Sequence, residues 1–278
     1  MIVAITGSSG FVGNHLKKRL INIGYEIIDL DLSQNIDITN WDHIKNTRRF
    51  DCLIHLAAKT FVPDSYKCPK DFYTTNIIGT LHALELCREK EAKMIYISSY
   101  VYGNPQYLPI DELHPISSFN PYSQSKIIGE NLCKSYEKDF RVKSIIIRPF
   151  NLYGPGQNEF FLIPFIIKQL NKKVIKLKDS QPKRDYLFIE DFIDALIKCV
   201  DYHESNYEVF NIGAGESYSV ELIANKIISA SHKKPKIKYL NETRENEIMN
   251  TIANIQKAKS KLNWAPKISL EQGLTLLL

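Results

Sequence analysis

Tyr122 and Lys126 stand four residues apart in the run Pro121-Tyr122-Ser123-Gln124-Ser125-Lys126. On a helix that spacing brings both side chains out on one face, about one turn apart. A phenol with an ordinary pKa of about 10 is a poor base. A cation about 4 Å away, in an effective dielectric near 20, is worth roughly 4 kcal/mol, enough to lower that pKa by about three units. So disposed, Tyr122 exchanges a proton near neutral pH, as general acid when a carbonyl is reduced and as general base when an alcohol is oxidised. Ser98 closes the apolar run Met94-Ile95-Tyr96-Ile97. It offers a second hydroxyl to the same substrate oxygen and holds it while hydride moves. Taken alone, the Tyr-Lys spacing is common by chance and describes a packed tyrosine beside a solvated lysine. Its meaning comes from the elements that position it.

Those elements begin at the first residue. Met1-Ile2-Val3-Ala4-Ile5-Thr6 is an apolar run suited to a buried parallel strand, and Gly7, Gly10 and Gly13 follow at three-residue steps as an amphipathic helix opens with Phe11, Val12 and Leu16. Gly7 turns the chain off the strand, Gly10 lets a pyrophosphate approach the backbone, and Gly13 lets the helix lie close to the sheet. The helix N-terminus adds partial positive charge and unpaired donors. A second apolar run, Tyr25 to Leu30, ends at Asp31, placed to accept from an adenine ribose hydroxyl pair. Its charge repels a 2′-phosphate, so NAD(H) is favoured, with NADP(H) left open. Asp37 reaches for an adenine amino group from a loop, and Lys126 also holds the nicotinamide ribose.

A third apolar run, Phe50 to Ala58, ends in small residues that let backbone lie against a flat ligand. Within it His55 reads as a packed strand-end histidine. Helical spacing covers Lys70 to Lys90 and continues from Pro121 through Leu132, and the strand Val142 to Ile147 follows. The loop from Gly103 to Asn120 has three prolines and no period. Five alternations of strand and helix predict an α/β fold, a doubly wound parallel sheet of Rossmann type, with a second, smaller α/β domain. The expected domains are 1–152, with the segment about 186–212 returning to it, and 153–278. Ligands bind at the carboxyl ends of the strands in such a sheet, which puts Ser98 on one rim with Gly7 and Ala57.

Composition narrows the class. With 44% hydrophobic and 24% charged residues the chain is an ordinary soluble globular protein, and no apolar run is long enough to span a bilayer, so a cytoplasmic location is expected. The five cysteines are scattered without a paired spacing, which reads as reduced thiols and no metal site. Net charge is +5, but the basic clusters at Lys45 to Arg49 and Lys233 to Lys238 have no interleaved aromatic platform and do not suggest nucleic acid. A mildly basic chain suits an anionic small substrate.

Taken together, Thr6-Gly7-Ser8-Ser9-Gly10-Phe11-Val12-Gly13, His55-Leu56-Ala57-Ala58, Asn76-Ile77-Ile78-Gly79-Thr80, Ser98-Ser99-Tyr100-Val101-Tyr102-Gly103 and the Tyr122-Lys126 run resemble the extended short-chain dehydrogenase/reductases that act on nucleotide sugars. Arg148-Pro149-Phe150-Asn151-Leu152-Tyr153-Gly154-Pro155-Gly156, Arg184-Asp185-Tyr186, Asn211-Ile212-Gly213 and Leu262-Asn263-Trp264-Ala265-Pro266 extend the resemblance over nearly the whole chain, in order. It implies further cofactor contacts at Ser9, Phe11, Val12, Ile38, Leu56, Ala57, Ala58, Asn76 and Pro149. It also implies a nucleoside-diphosphate sugar (dTDP, GDP, UDP or CDP) held between the domains. Ser98, Ser99 and Tyr122 would meet the sugar, Asn151 the diphosphate, and Arg184 and Arg244 its oxygens. Members of the family often form homodimers through the helices at Lys70 to Lys90 and Pro121 to Lys138.

One departure is informative. The family's dehydratases carry an Asp-Glu pair directly after the serine or threonine, where this chain has Ser99 and Tyr100. Without those carboxylates 4,6-dehydration lacks its acid and base. Two activities at C4 remain: reduction of a 4-keto-6-deoxy sugar with consumption of cofactor, and 4-epimerisation with tightly held NAD. The short substrate domain, with Phe61 and Tyr100 as apolar walls suited to a 6-deoxy methyl, favours the 4-ketoreductase as the expected activity, with the epimerase as alternative. A non-catalytic NAD-sensing scaffold is a remote third reading, since it predicts a broken site while Ser98, Tyr122 and Lys126 are all present.

Overall fold

A computed structural model describes residues 1–118, 120–242 and 247–278. Up to Pro149 the chain forms β1 (Ile2–Thr6), α1 (Phe11–Asn22), β2 (Glu26–Leu30), α2 (Trp41–Ile44), β3 (Cys52–His55), α3 (Val62–Lys67), α4 (Pro69–Tyr73), α5 (Gly79–Lys90), β4 (Lys93–Ile97), α6 (Pro121–Phe140) and β5 (Ser144–Pro149). Beyond it come β6 (Asn151–Tyr153), α7 (Leu162–Gln169), β7 (Val174–Leu177), β8 (Lys183–Arg184), β9 (Tyr186–Phe188), α8 (Ile189–Val200), β10 (Tyr207–Ile212), β11 (Tyr218–Ser219), α9 (Val220–Ser231), β12 (Lys236–Tyr239), α10 (Gln256–Leu262) and α11 (Leu270–Thr275). Among the described residues no helix is long and apolar enough to cross a membrane.

Six strands make one sheet in the order β10-β5-β4-β3-β1-β2. β1 pairs in parallel with β2 and β3, β3 with β4, and β4 with β5. Strands this apolar need cover on both faces: Val3, Ala4, Ile5, Leu53, Ile54 and Ile146 are completely buried. Each of the valine, leucine and isoleucine side chains contributes about 1.5–3 kcal/mol on leaving water. Strand order reverses between β1 and β3. Thr6 lies opposite both Leu30 and His55, so the turns after β1, β2 and β3 leave the same rim. That rim is the crevice a doubly wound sheet offers to a nucleotide.

The chain divides into two compact units. Residues 1–103, 115–149 and 193–210 form the first, and residues 104–114, 150–192 and 211–278 the second. These boundaries differ from the sequence expectation at 104–114, 150–152, 186–192 and 211–212. The loop 104–114 belongs to the second unit because Ile110 donates to Ile252 O at 2.8 Å and accepts from Asn254 N at 2.7 Å. Glu112 accepts from Asn211 N at 2.7 Å. In the second unit three two-stranded sheets, β11-β8, β12-β7 and β6-β9, accompany α7, α9, α10 and α11.

The helix expected over Lys70 to Lys90 is interrupted. A π-helical turn at Thr74–Ile78 separates α4 from α5 and leaves Asn76 buried. α6 opens as anticipated, with Pro121 in its first turn and Asn120 accepting from Ser123 N at 2.8 Å as N-cap. In the first unit, Lys93 is buried at the start of β4. Its Nζ donates to the carbonyls of Cys199, Val200 and Tyr202 at 2.9, 2.5 and 3.0 Å, closing the C-terminal end of α8.

Candidate active site

The turn after β1 is shaped for phosphate. Gly7 has φ of +70°, and a Cβ there would stand 2.8 Å from Ala57 N. A Cβ on Gly13 would meet Gly7 O at 2.3 Å, so α1 can lie this close to the turn only with glycine there. Gly10 caps α1 without a side chain, leaving the first-turn N–H groups of Phe11, Val12 and Gly13 as the helix's own unpaired donors. Leu56, Ala57 and Ala58 follow β3 on the same rim, and Ala57 N donates to Thr6 Oγ1 at 3.2 Å. This cradle fits the pyrophosphate of a dinucleotide.

Asp31 directly follows β2 beside it, 5% exposed. Its carboxylate accepts from Ser9 Oγ at 2.6 Å, Ser9 N at 3.1 Å and Ser33 N at 2.8 Å. Burial alone would raise its pKa, but these hydrogen bonds outweigh it and hold the group at about 2. Asp31 is therefore ionised at every working pH, and it also fastens the glycine turn through Ser9. Asp37, expected at the adenine, accepts from Thr39 N and Thr39 Oγ1, both at 2.8 Å. Those bonds set its own loop and hold its carboxyl below the usual range. Ile38 is buried against Gly79, where a Cβ would come within 3.0 Å of it.

His55 is buried as expected. Its Nδ1 meets Thr6 Oγ1 at 2.7 Å and its Nε2 meets Thr80 Oγ1 at 3.1 Å. Burial, with Lys126 nearby, pushes its pKa down to about 3, so it stays neutral and packs. Asn76, expected at the cofactor, is hydrogen-bonded within the protein. Its Oδ1 accepts from Lys59 N at 2.9 Å, and its Nδ2 donates to Lys59 O at 3.1 Å and Ser125 Oγ at 2.8 Å. Those bonds use both amide protons and one oxygen lone pair, so Asn76 ties the segment after β3 to α6.

Tyr122 is half-buried in the first turn of α6, its ring edge-on to Phe72. Lys126, one turn on, donates to Ile97 O at 2.8 Å and lies 5.0 Å above the Tyr96 ring. Burial lowers its pKa to about 8 against the pull of Cys133 and Glu130. The expectation that Lys126 depresses the Tyr122 phenol is not met. Burial raises that phenol, the Ser99 side chain offsets part of the rise, and Lys126 directs a proton to the Ile97 carbonyl. Gly129 sits where a Cβ would come within 2.1 Å of Tyr96 Oη, so α6 is packed flush onto β4.

Ser98 also departs from expectation. Its N still belongs to the sheet, donating to Ile147 O at 2.8 Å, and its hydroxyl, 2% exposed, donates to Glu130 Oε1 at 2.5 Å. Glu130 in turn takes a bidentate Arg148: Nε to Oε1 at 2.9 Å and Nη2 to Oε2 at 2.6 Å. Arg148 Nη1 donates to Tyr102 Oη at 3.0 Å. Glu130 and Arg148 are about 5% exposed or less. Sequence reading missed Glu130, although it stands four and eight residues after Lys126 and Tyr122, on their face of the helix. Pro149 ends the strand that carries Arg148.

In the second unit, Asn151 Nδ2 donates to Asp185 O at 3.2 Å. Arg184, expected at a phosphate, pairs with Glu247 and donates to Ile248 O at 2.5 Å and Lys183 O at 2.9 Å. Arg244 lies outside the described residues. Asp185, fully buried, gathers the N–H groups of Ala214 at 2.6 Å, Gly215 at 2.9 Å and Ala253 at 3.0 Å.

Comparison with known proteins bears on the chemistry. The model of the NAD dependent epimerase/dehydratase family matches residues 3–213. The UDP-glucose 4-epimerase of Rhizobium leguminosarum bv. trifolii is 28% identical over 308 residues, spanning 97% of this chain and 94% of that protein. The structure of UDP-glucose 4-epimerase from Thermotoga maritima with UDP-glucose aligns with a TM-score of 0.91 at 28% identity, over 99% of this chain and 97% of that one. RMD from Pseudomonas aeruginosa, complexed with NADPH, aligns with a TM-score of 0.92 at 25% identity, over 99% and 96%. The chain belongs to the NAD dependent epimerase/dehydratase family, the extended short-chain dehydrogenase/reductases that act on nucleotide sugars.

Proposed function

We propose that this enzyme is a UDP-hexose 4-epimerase that keeps NAD bound through the catalytic cycle. Likeness over nearly full length on both sides to UDP-glucose 4-epimerases carries this reading, one of them solved with UDP-glucose. The expected 4-ketoreductase gives way to it, because it rested on chain length and two aromatic walls. Of those walls, Tyr100 uses its hydroxyl on Gly103 O at 2.7 Å and packs its ring edge-on to Tyr102.

When bound in the cradle after β1, the nicotinamide supplies a hydride acceptor that later returns the same hydride. Tyr122 takes the O4 proton as the C4 hydride leaves, giving a 4-ketone, and gives the proton back when hydride returns to the opposite face. A serine hydroxyl at the end of β4 holds O4 throughout. Lys126, anchored on Ile97 O, keeps a positive charge one helical turn from the phenol. Asp31 is ionised and would accept from the adenine ribose while opposing a 2′-phosphate, so NAD is favoured over NADP.

The test uses the protein as purified, with no cofactor added. UDP-glucose deuterated at C4 should convert to UDP-galactose with the label retained, and denaturation should release NAD. Steady consumption of added NADH by an NDP-4-keto-6-deoxyhexose, with no interconversion of UDP-hexoses, would overturn the proposal in favour of the reductase.

A further inference from the structure

Resting on that reading of the chemistry, we propose that Ser99, and not Ser98, is the hydroxyl that shares the substrate oxygen with Tyr122. Motif counting points to Ser98, but the first unit gives that hydroxyl another occupation. A serine has one O–H to donate. Ser98 donates its own to Glu130 Oε1 at 2.5 Å, a charge-assisted bond of the stronger kind. The acceptor cannot move aside, because Arg148 grips both oxygens of Glu130. Tyr102 Oη accepts from the same guanidinium at 3.0 Å. What is left of Ser98 is acceptor capacity, which is of no use to an oxygen gathering negative charge as its proton leaves.

Alternation along the strand explains the difference. Side chains two apart on β4 share a face. Tyr96 donates to Lys126 O at 3.4 Å beneath α6, and Ser98 follows it onto that side to meet Glu130 on the same helix. Ser99 comes one residue later. It is half-buried where Ser98 is closed to solvent, and its side chain is near enough to the Tyr122 phenol to offset part of the rise that burial imposes on it. With the Ser98 hydroxyl engaged on Glu130, Ser99 is the serine left to face Tyr122 at the first turn of α6. Ser98 becomes a positioning residue, one of four side chains that tie β4 and β5 to the helix carrying Tyr122 and Lys126.

Ser99→Ala, Ser99→Thr and Ser98→Ala in the full chain decide the matter through two readouts. The first is the ionisation of Tyr122, followed without substrate by its tyrosine ring-carbon resonance. Losing the Ser99 hydroxyl should raise the Tyr122 pKa, while Ser98→Ala should not. The second is turnover of UDP-hexose. Loss of an oxyanion-type donor lowers kcat about 100-fold or more, so Ser99→Ala should fall by that factor with little change in KM. Ser99→Thr, which keeps a hydroxyl, should recover most of the loss. Ser98→Ala should lose less than about tenfold in kcat and show its main effect as a lower Tm. An unmoved Tyr122 titration in Ser99→Ala, or a larger kcat loss in Ser98→Ala than in Ser99→Ala, overturns the assignment. If the parent enzyme turns over no UDP-hexose, the epimerase reading fails, and the titration decides between the serines alone.

Discussion

Replacing Glu130 by leucine removes one half of a buried ion pair and leaves the other half stranded. Glu130 and Arg148 are 5% and 4% exposed, so an unpartnered guanidinium would have little water to turn to. Truncating one member of such a pair costs about 3–5 kcal/mol. Unfolding entropy near 2.1 cal/mol/K per residue over 278 residues is about 0.6 kcal/mol/K, so Tm should drop by about 5–9 °C. Arg148→Met alone should cost a similar amount, since it strands the carboxylate and removes the guanidinium's bond to Tyr102 Oη. The double variant replaces both charges by apolar side chains of comparable volume, a change that is often neutral or stabilising. It should lie within about 2 kcal/mol of the parent, far short of the sum of the singles. Urea and thermal unfolding of the four proteins supply the cycle. Additive singles would refute the claim that these two charges hold each other in place, and with it the argument that Glu130 is fixed enough to occupy Ser98.

Two further outcomes test the packing and the charge around the cofactor cradle. Gly129→Ala puts a methyl 2.1 Å from Tyr96 Oη, so α6 must lift from β4. Overpacking of this kind costs about 1–3 kcal/mol, and an unchanged Tm would show that Tyr96 yields without loss. Asp31 is held at about 2, below its ordinary 3.8, so the folded chain binds fewer protons there than the unfolded chain. The stability it supplies is complete above about pH 4 and is lost as pH falls towards 2, about 2 kcal/mol over that window. In Asp31→Asn that part of the acid limb should flatten, as read by urea unfolding between about pH 2 and 5, and the purified variant should retain less NAD. A parallel acid limb in parent and variant would show that the bonds from Ser9 and Ser33 add nothing to the fold.

Residues that answer to a local constraint were legible in the sequence. Gly7 and Gly13 are glycine because backbone stands within 3 Å of where a Cβ would be, and Asn120-Pro121 opens α6 because cap and first turn are set within four residues. The alternation of apolar runs with helical spacing reports burial on both faces of the sheet, and the sheet follows from it. What stayed hidden was competition between distant polar groups for one partner. Ser98 looks like a catalytic hydroxyl until Glu130, 32 residues later, accepts its hydrogen bond. Arg184 looks like a phosphate ligand until Glu247, 63 residues later, pairs with it. Asn76, read as a cofactor contact, stands in a π-helical turn and bonds Lys59 and Ser125. In each case the residue type was read correctly and its hydrogen-bond partner was not, because donors are satisfied in three dimensions and a motif records only one. Spacing can therefore nominate a set of polar residues, but the number of protons each has to give decides which of them is free to act. By that count Ser99, expected from the sequence only as a sugar contact, is the better-placed partner for Tyr122.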